Sequence, residues 1–239
     1  MITGAACGWP LLLCDDIVVM SEKRNGPPQS LAGREGRCLV HGGAPVVMVG
    51  SDAVEVERRL RAGELSCPCG GDLGPWGHAR ERIVRGVAVL RPRRARCRRC
   101  LLTHVLLTVS CLSRRADAVD VIGAALRMKA AGVGHRPIAR RLGRPASTVR
   151  GWLRAFSRNA EAARSIFTAL LVALDPLAGP LPSHPSVFAD AVEVVGGCAG
   201  AARRRLGVLG AVSPWQQASA VSSGLLLAPA MAGQMINTG

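Results

Sequence analysis

Residues 135–156, HRPIARRLGRPASTVRGWLRAF, contain two short amphipathic patterns separated by a glycine. In the first pattern, Ile138 and Leu142 are four residues apart and therefore share one face of a helix. Gly143 follows where the chain must turn sharply, and glycine best tolerates the positive φ that we expect there. In the second pattern, four apolar residues repeat at the spacing of a core-facing stripe: Val149, Trp152, Leu153 and Phe156. The stretch predicts two helices joined by a tight turn.

Polar side chains occupy the opposite face of the second helix. Pro137 and Pro145 mark where the two helices begin, because a proline in the first turn loses no helical hydrogen bond. Hydroxyl and guanidinium groups reach phosphates and base edges in the major groove of DNA. We therefore predict DNA contacts from this face and from two flanking arginines: Ser147, Thr148, Arg150 and Arg154, with Arg136 and Arg144. An ordinary basic helical hairpin is the alternative interpretation.

A further helix is predicted just upstream, over residues 116–131, ADAVDVIGAALRMKAA. Three of its apolar residues share one face, and two glycines end the pattern: Val119, Ile122 and Leu126, then Gly132 and Gly134. Its length and position suit the first helix of a trihelical DNA-binding domain. We predict such a helix-turn-helix domain over residues 115–158.

The charge of the chain is concentrated in its centre. The 239 residues have a formal net charge of +15, yet residues 67–158 carry 20 basic and 4 acidic side chains. The segments before and after this block are close to neutral. Such a block neutralises phosphates and releases counterions, which predicts a nucleic-acid partner. A membrane-surface role is disfavoured because the basic residues accompany turns and short motifs instead of one long amphipathic helix.

We expect neither a signal peptide nor a transmembrane segment. The first twenty residues have no positively charged stretch before their apolar run. No apolar run reaches the roughly 18–20 residues that span a bilayer. The prediction is a cytoplasmic protein whose nine cysteines are reduced, so that paired cysteines favour metal over disulfides.

Four cysteines form two pairs, Cys67-Pro-Cys69 and Cys97-Arg-Arg-Cys100, with 27 residues between the pairs. A turn rich in glycine and proline and a strand-like run at 83–90 lie between them, and residues 101–109 resemble another strand. Two cysteine turns joined by a hairpin are the plan of a zinc ribbon, in which four thiolates hold one zinc ion. A ribbon without metal and redox-active cysteines remain as alternatives.

The first cysteine pair is one residue shorter than the Cys-x-x-Cys that zinc ribbons normally have. Either the site accepts a tighter turn, or a histidine replaces one sulfur; His104 is the first candidate and His78 the second. The remaining cysteines have no partner at a useful spacing, so we predict small buried side chains for them: Cys7, Cys14, Cys38, Cys111 and Cys198.

Six arginines surround the second cysteine pair: Arg91, Arg93, Arg94, Arg96, Arg98 and Arg99. Six like charges within nine residues repel one another unless a polyanion is near. We expect contact with the nucleic-acid backbone, and assign it to Arg94, Arg96, Arg98 and Arg99. A solvated charged loop is the alternative.

The overall prediction is an α+β fold that is mainly α. It consists of a small α/β segment at 1–64, a β-hairpin zinc ribbon at 65–112, the helix-turn-helix domain, a helical tail at 159–227 and a disordered end at 228–239. The first segment should contain one or two strands within residues 1–20, a strand at 45–50, and a helix at about 51–64 capped by Asp52 with Glu55. The tail should contain helices at 160–174, 186–206 and 214–227.

The helix-turn-helix stretch resembles that of bacterial transposases and site-specific recombinases, which follows A-x-x-L-G-x-x-x-x-T-V-x-x-W. The matching residues are Ala139, Leu142, Gly143, Thr148, Val149 and Trp152. Arg144 stands where that pattern usually has an aliphatic residue. Residues 65–156 as a whole resemble the zinc-ribbon plus helix-turn-helix front end of several bacterial transposase families. They also resemble uncharacterised actinobacterial proteins with CPxCGG, PWG, RPRRARC-x-x-C and THVLL segments. The resemblance implies sequence-specific binding of duplex DNA and a zinc ion in the ribbon.

No catalytic centre is predicted. A transposase of this type needs three carboxylates that hold two metal ions in an RNase-H-like domain. The acids after Phe156 lie in helical patterns: Glu161, Asp175, Asp190 and Glu193. We predict a DNA-binding protein that is not an enzyme, either a transposon-associated accessory protein or a transcriptional regulator. The alternative is a non-catalytic subunit or remnant of a transposase whose nuclease is on another chain. A homodimer or a transposase chain are the expected protein partners.

Overall fold

The computed structural model describes residues 11–14, 17–20, 46–207 and 212–229. In chain order the elements are β1 (Leu11–Cys14), β2 (Ile17–Met20), β3 (Val46–Val49), α1 (Ala53–Arg61), β4 (Leu73–His78), β5 (Arg82–Val84), β6 (Ala88–Leu90), β7 (Arg93–Cys97), β8 (Thr103–Thr108), α2 (Val119–Ala130), α3 (His135–Leu142), α4 (Ala146–Leu174), α5 (Val187–Leu206) and α6 (Pro214–Val221). Small sheets precede a helical domain, so the predicted α+β class is confirmed.

A four-stranded sheet in the order β3-β8-β7-β4 forms the centre of the first half. β4, β7 and β8 are antiparallel neighbours, as a ribbon requires, whereas β3 joins β8 in parallel. The segment predicted at 1–64 therefore contributes β3 as an edge strand to the sheet that contains β4, β7 and β8. Val47, Val49, Val56 and Leu60 belong to the same buried cluster as the sheet residues.

Helix α1 begins and ends close to the prediction. Asp52 is the N-cap, and its side chain accepts hydrogen bonds from the backbone N–H groups of Val54 and Glu55. The carboxylate of Glu55 is bound by Arg58. Asp52 therefore performs its predicted role, while Glu55 forms an ion pair along the helix surface.

The strand-like run at 83–90 is divided into a hairpin of β5 and β6. Ile83 pairs with Val89 across it, and Gly86 turns the chain with φ of 88°. The prediction of one strand was wrong because the apolar residues before and after Gly86 lie in two short strands that pair with each other. Both Ile83 and Val89 are largely exposed, at 70% and 58%.

Helices α2, α3 and α4 form the predicted trihelical arrangement. The apolar residues on which it was predicted are buried in one core: Val119, Ile122, Leu126, Ile138, Val149, Trp152, Leu153 and Phe156. Gly143 caps α3 with φ of 61° and ψ of 40°, which confirms the left-handed turn. The two prolines lie slightly off their predicted places. α3 begins at His135, so that Pro137 lies within its first turn, and Pro145 precedes α4 as its N-cap.

Helix α4 continues without interruption to Leu174. The prediction of a separate helix at 160–174 is therefore wrong, and α4 crosses the position at which the predicted helical tail begins. Asn159 lies in the helix interior, where its side-chain amide donates to the backbone carbonyls of Leu226 and Ala228. Asn159 is thus the residue of α4 to which the C-terminal segment binds.

The C-terminal segment packs across both halves of the molecule. Trp215 of α6 is only 2% exposed and lies over Gly123 of α2, where an added Cβ would be 2.1 Å from the indole ring. The backbone N–H of Ser113 donates to the carbonyl of Gly224. α6 ends at Val221, earlier than predicted, whereas α5 matches its predicted span.

Some predictions fall outside the described residues. Cys7, Cys38 and residues 230–239 are among these. β1 and β2 are the strands predicted within residues 1–20, and they pair as an antiparallel hairpin. Cys111 and Cys198 are buried, as predicted.

Candidate nucleic-acid interface and metal centre

The exposed face of α4 is formed by the predicted DNA-binding side chains. Ser147, Arg150 and Arg154 are exposed and Thr148 is half-buried, while Val149 and Trp152 point into the core. This separation follows from the helical period, because residues three and four apart share a face. Arg158 is also exposed and lies one turn after Arg154. The same spacing rule would have placed it on this face.

Arg136 and Arg144, the two flanking arginines, have different surroundings. Arg136 is exposed in the first turn of α3. Arg144 is only 19% exposed, and its Nε donates to Oδ1 of Asp117 at 2.6 Å. Its Nη1 donates to the carbonyl of Gly143 at 3.1 Å. The structure therefore gives Arg144 a role in holding the turn, which explains why an arginine can replace an aliphatic residue there.

Asp117 connects the helix-turn-helix to the ribbon. Its carboxylate is 2% exposed and also accepts from Nη2 of Arg85 in the β5–β6 hairpin, at 2.6 Å. Burial raises the pKa of Asp117, but the hydrogen bonds from Arg85 and Arg144 outweigh it and hold this pKa below its usual value. The sequence offered no signal for this pairing, because the three residues are far apart in the chain.

The four paired cysteines converge on one point. The sulfur atoms of Cys67, Cys69, Cys97 and Cys100 all lie within 4.8 Å of one another. The Cys69–Cys97 sulfur distance is 3.5 Å and the Cys67–Cys100 distance is 3.7 Å, and none of the four is in a disulfide. A tetrahedral Zn–S₄ site with bonds of about 2.3 Å has sulfurs about 3.8 Å apart. The donor set therefore fits a zinc ion in number, type and spacing.

The shortened first turn is made possible by Gly70 and Gly71. The N–H of Gly70 donates to the carbonyl of Cys67, and Gly70 has φ of 79°. A Cβ on Gly71 would lie 2.5 Å from Cβ of Arg99 and 2.8 Å from the sulfur of Cys97. Glycine at this position lets the two cysteine turns approach each other closely. Cys-x-Cys-Gly-Gly is thus a tight turn that still presents both sulfurs.

The second turn directs backbone N–H groups at its own sulfur. The N–H groups of Arg99 and Cys100 point to the sulfur of Cys97, at 3.3 and 3.4 Å. Leu101 then adopts φ of 61°, and its N–H donates to the carbonyl of Cys97. Such N–H groups stabilise negative charge on a metal-bound thiolate.

The two histidine candidates for a missing ligand have different outcomes. His78 is exposed at the far end of β4, where it is opposite Arg93, whereas Leu73 at the other end is opposite Cys97. His104 is fully buried, and its Nε2 lies 3.2 Å from the sulfur of Cys67. The metal-capable set in the described part of the chain consists of the four cysteines. His104 is therefore placed to form a hydrogen bond with the sulfur of Cys67. The four cysteines supply four sulfurs by themselves, so a histidine need not replace one of them.

Protonation differs within this cluster. Burial raises the pKa of the Cys67 thiol and, to about 11, that of Cys100. Burial acts in the same direction on Cys69, but the N–H of Gly71 and the neighbouring thiols outweigh it and lower its pKa to about 6. Burial lowers the pKa of His104, which favours the neutral ring. The thiol of Cys69 is thus the member of the cluster that most readily loses its proton to solvent and becomes a thiolate.

The arginines of the ribbon divide between two roles. Arg93 is bound by the carboxylate of Glu57 at 2.9 Å. Arg99 reaches across the two cysteine turns and donates to the carbonyl of Cys69. Arg98 and Arg99 are exposed, whereas Arg94 and Arg96 are half-buried on β7. Ala95 and Cys97 of that strand are buried, so the even-numbered arginines project from the opposite, outer face of the sheet.

Trp76 lies on the same outer face and was not assigned a role from the sequence. The guanidinium carbon of Arg96 lies 4.6 Å from the centre of its ring, and the side chain is 52% exposed. The only hint in the sequence is that Trp76 lies between Pro75 and Gly77, two residues typical of turns and irregular strands. The sequence does not show that the tryptophan is exposed.

Residues 118–164 match the family model of a homeodomain-like domain. The match spans α2, α3 and the first part of α4, which are the helices that carry the predicted DNA-binding face. It supports a DNA-binding helix-turn-helix of the kind found at the front of transposases. No curated protein and no solved structure matches the chain. Among the described residues, none of the helices is both long and apolar enough to cross a membrane.

Proposed function

We propose that this protein binds duplex DNA in a sequence-specific manner, as a transposon-associated accessory protein or a transcriptional regulator. α4 enters the major groove with Ser147, Arg150 and Arg154, and the arginines of the ribbon hold phosphates beside it. The observation that carries the proposal is the exposed polar face of α4 within a domain that matches a homeodomain-like model. The charge of the central block supplies the sequence-independent part of the affinity.

The proposal includes a structural zinc ion held by Cys67, Cys69, Cys97 and Cys100. The distances between the four sulfurs support this identity of the metal. A bound zinc would tie the two turns together and leave no open position for substrate. Elemental analysis of the purified protein should give one zinc per chain, and Cys97→Ser should remove it. One zinc retained in Cys97→Ser would contradict this assignment.

We propose further that the chain is not an enzyme. Its acids after Phe156 have structural surroundings: Glu161 binds Arg164, Asp175 binds Arg204, and Asp190 accepts from the backbone N–H of His184. All lie on helices or at their ends. This arrangement favours binding over cleavage, and incubation of supercoiled DNA with the protein and Mg²⁺ should leave the DNA intact. Nicked or linear products that depend on Asp175 or Asp190 would contradict it.

Selection of bound sequences from a random duplex pool tests the proposal directly. We expect a short enriched motif and an affinity that falls steeply with salt concentration. Binding without enrichment would reduce the role to non-specific DNA binding, and absence of salt-sensitive binding would refute the proposal.

Arg150→Ala provides a residue-level test. If Arg150 contacts a base, its loss should weaken binding to the selected site by about 1–3 kcal/mol while random DNA is affected little. Arg164→Ala is the matched control, because Arg164 lies on the same helix beyond the DNA-binding face and pairs with Glu161. Equal weakening on selected and random DNA would make Arg150 a phosphate contact.

A further inference from the structure

The outer face of the ribbon's sheet combines an exposed aromatic ring with unpaired positive charge. Trp76 is 52% exposed, whereas Trp152 and Trp215 are each 2% exposed. Single exposed apolar side chains are common on protein surfaces, but Trp76 differs from them because a β-bulge and an arginine hold its ring. The backbone around Trp76 directs the side chain toward solvent, because the strand pairing is irregular at this residue.

A β-bulge turns Trp76 out of the sheet. In the β4–β7 ladder, Pro75 is opposite Ala95 and Gly77 is opposite Arg94, so that Trp76 is the extra residue between two consecutive pairs. Gly77 has φ of 113°, a conformation that L side chains rarely adopt. Bulges of this kind re-aim a side chain, here toward solvent.

Arg96 fixes the ring in this orientation. Its guanidinium carbon lies over the ring at 4.6 Å, and its Nε donates to the carbonyl of Leu101 at 3.1 Å. The ring is thus held between a cation and open solvent. A planar group can stack on the exposed part of the indole without any movement of the protein.

The charges beside Trp76 favour a polyanion. Within the described part of the chain, Arg94, Arg96 and Arg98 have no carboxylate at ion-pair distance, in contrast to Arg93, which is bound by Glu57. The ring contact of Trp76 is with the cation of Arg96, which favours an anionic partner over an apolar one.

We infer that this face is a stacking platform for an unpaired nucleobase of a DNA strand, with Trp76 as the stacking group and Arg94, Arg96 and Arg98 as the phosphate contacts. An aromatic ring beside arginines on an open sheet is how single strands are bound with little dependence on sequence. The inference rests on the proposed DNA binding and adds to it that the ribbon recognises single-stranded DNA next to a duplex.

The test compares three labelled DNAs by fluorescence anisotropy with the full chain: a blunt duplex, the same duplex with a short single-stranded extension, and the single strand alone. The extension should tighten binding by the wild type. Trp76→Ala should lose that gain in affinity, about 5- to 150-fold, and should bind the blunt duplex as before. Trp76→Phe should retain most of it. Val89→Ala, which removes an equally exposed apolar side chain from the ribbon, is the control and should change nothing.

Tryptophan fluorescence gives a second measurement that does not depend on affinity. A base that stacks on Trp76 should quench wild-type emission, and this quenching should be absent in Trp76→Phe. Equal binding of blunt and extended duplexes, with no effect of Trp76→Ala, would overturn the inference and leave the proposed duplex binding intact. Absence of binding to all three DNAs would overturn both.

Discussion

The ribbon and the helical domain carry the same kind of charge but are stabilised in different ways. The helical domain encloses a continuous apolar core, in which Trp152, Phe156, Phe167 and Trp215 are at most 2% exposed. At the cysteine end of the ribbon the buried residues are fewer and include Ala95, Cys97 and His104 beside Leu65 and Leu73. We therefore expect packing alone to hold the helices together, whereas this end of the ribbon should also need the proposed metal on its four sulfurs.

Removal of the proposed metal should therefore unfold the cysteine end of the ribbon and leave the helical domain folded. This is the largest effect on stability that we expect. Structural zinc sites contribute about 10–16 kcal/mol of apparent binding free energy in small domains, so a strong chelator should unfold the cysteine end of the ribbon. The helical circular-dichroism signal should change little. Hydrogen exchange would show this as lost amide protection in β4, β7 and β8 with protection retained in α2 and α4.

Cys97→Ser should reproduce the effect of the chelator without any reagent. Cys198→Ala is the matched control, because Cys198 is also buried but lies in α5, where it acts as a small apolar side chain. The Cys198→Ala variant should retain its metal and the hydrogen-exchange protection of the amides in the ribbon. Unchanged ribbon protection in the chelated protein would show that the sheet is stable on its own, and the contrast between the two regions would disappear.

Gly123→Ala should test the helical side of the comparison. The added Cβ would lie 2.1–2.3 Å from the indole of Trp215, so α6 must move away from α2. We expect a loss of about 3 kcal/mol in the free energy of unfolding, near the upper end for overpacked cores. Chemical denaturation followed by helical circular dichroism measures it, and zinc content should stay the same.

Gly196→Ala is the control for this substitution. Gly196 is an exposed helical glycine with open space around it, so alanine should stabilise the protein by about 0.5–1 kcal/mol. A similar loss at both positions would mean that contact with Trp215 does not determine the result at Gly123.

The helix-turn-helix could be predicted almost residue by residue, and the reason is local. Its signals are the helical period of the apolar residues and the left-handed Gly143, which act within one or two turns of chain. The prediction failed where contacts between residues far apart in the chain determine the structure. α4 continues through Asn159 because that amide binds the C-terminal segment, and β3 joins β8 across more than fifty residues. Neither interaction can be recognised from the residues next to it in the sequence.

The candidate site shows the same division. Spacing alone located the four cysteines, since each turn brings its own pair together, and the sheet then brings the pairs to one point. Spacing did not reveal that Gly71 makes the short turn workable, that Asp117 binds Arg144, or that Trp76 is exposed. Each of these depends on which side chain is opposite which in the folded structure.

Asp117→Asn should weaken the contact between the ribbon and the helical domain. Removal of one buried charge leaves Arg85 and Arg144 without their carboxylate, and we expect a loss of about 2–3 kcal/mol. If the link also orients the ribbon relative to α4, affinity for DNA should fall although no DNA-contacting residue has changed. Arg61→Ala, which breaks an exposed ion pair with Glu57, is the control and should cost well under 1 kcal/mol.

The ion pairs of Asp117 with Arg85 and Arg144 should also make stability depend on pH in the acid range. This is the smallest effect that we expect. The pKa of Asp117 is lowered in the folded protein, so its contribution is complete above its ordinary pKa of about 4 and is lost as the pH falls through the folded-state value. The difference in free energy of unfolding between wild type and Asp117→Asn should thus be constant from pH 7 to about pH 5 and shrink below about pH 4. Because the proposed metal would be lost from both proteins alike in acid, the difference isolates Asp117. A difference that grew on acidification would mean that the carboxyl is protonated in the fold and that the two arginines are held by other groups.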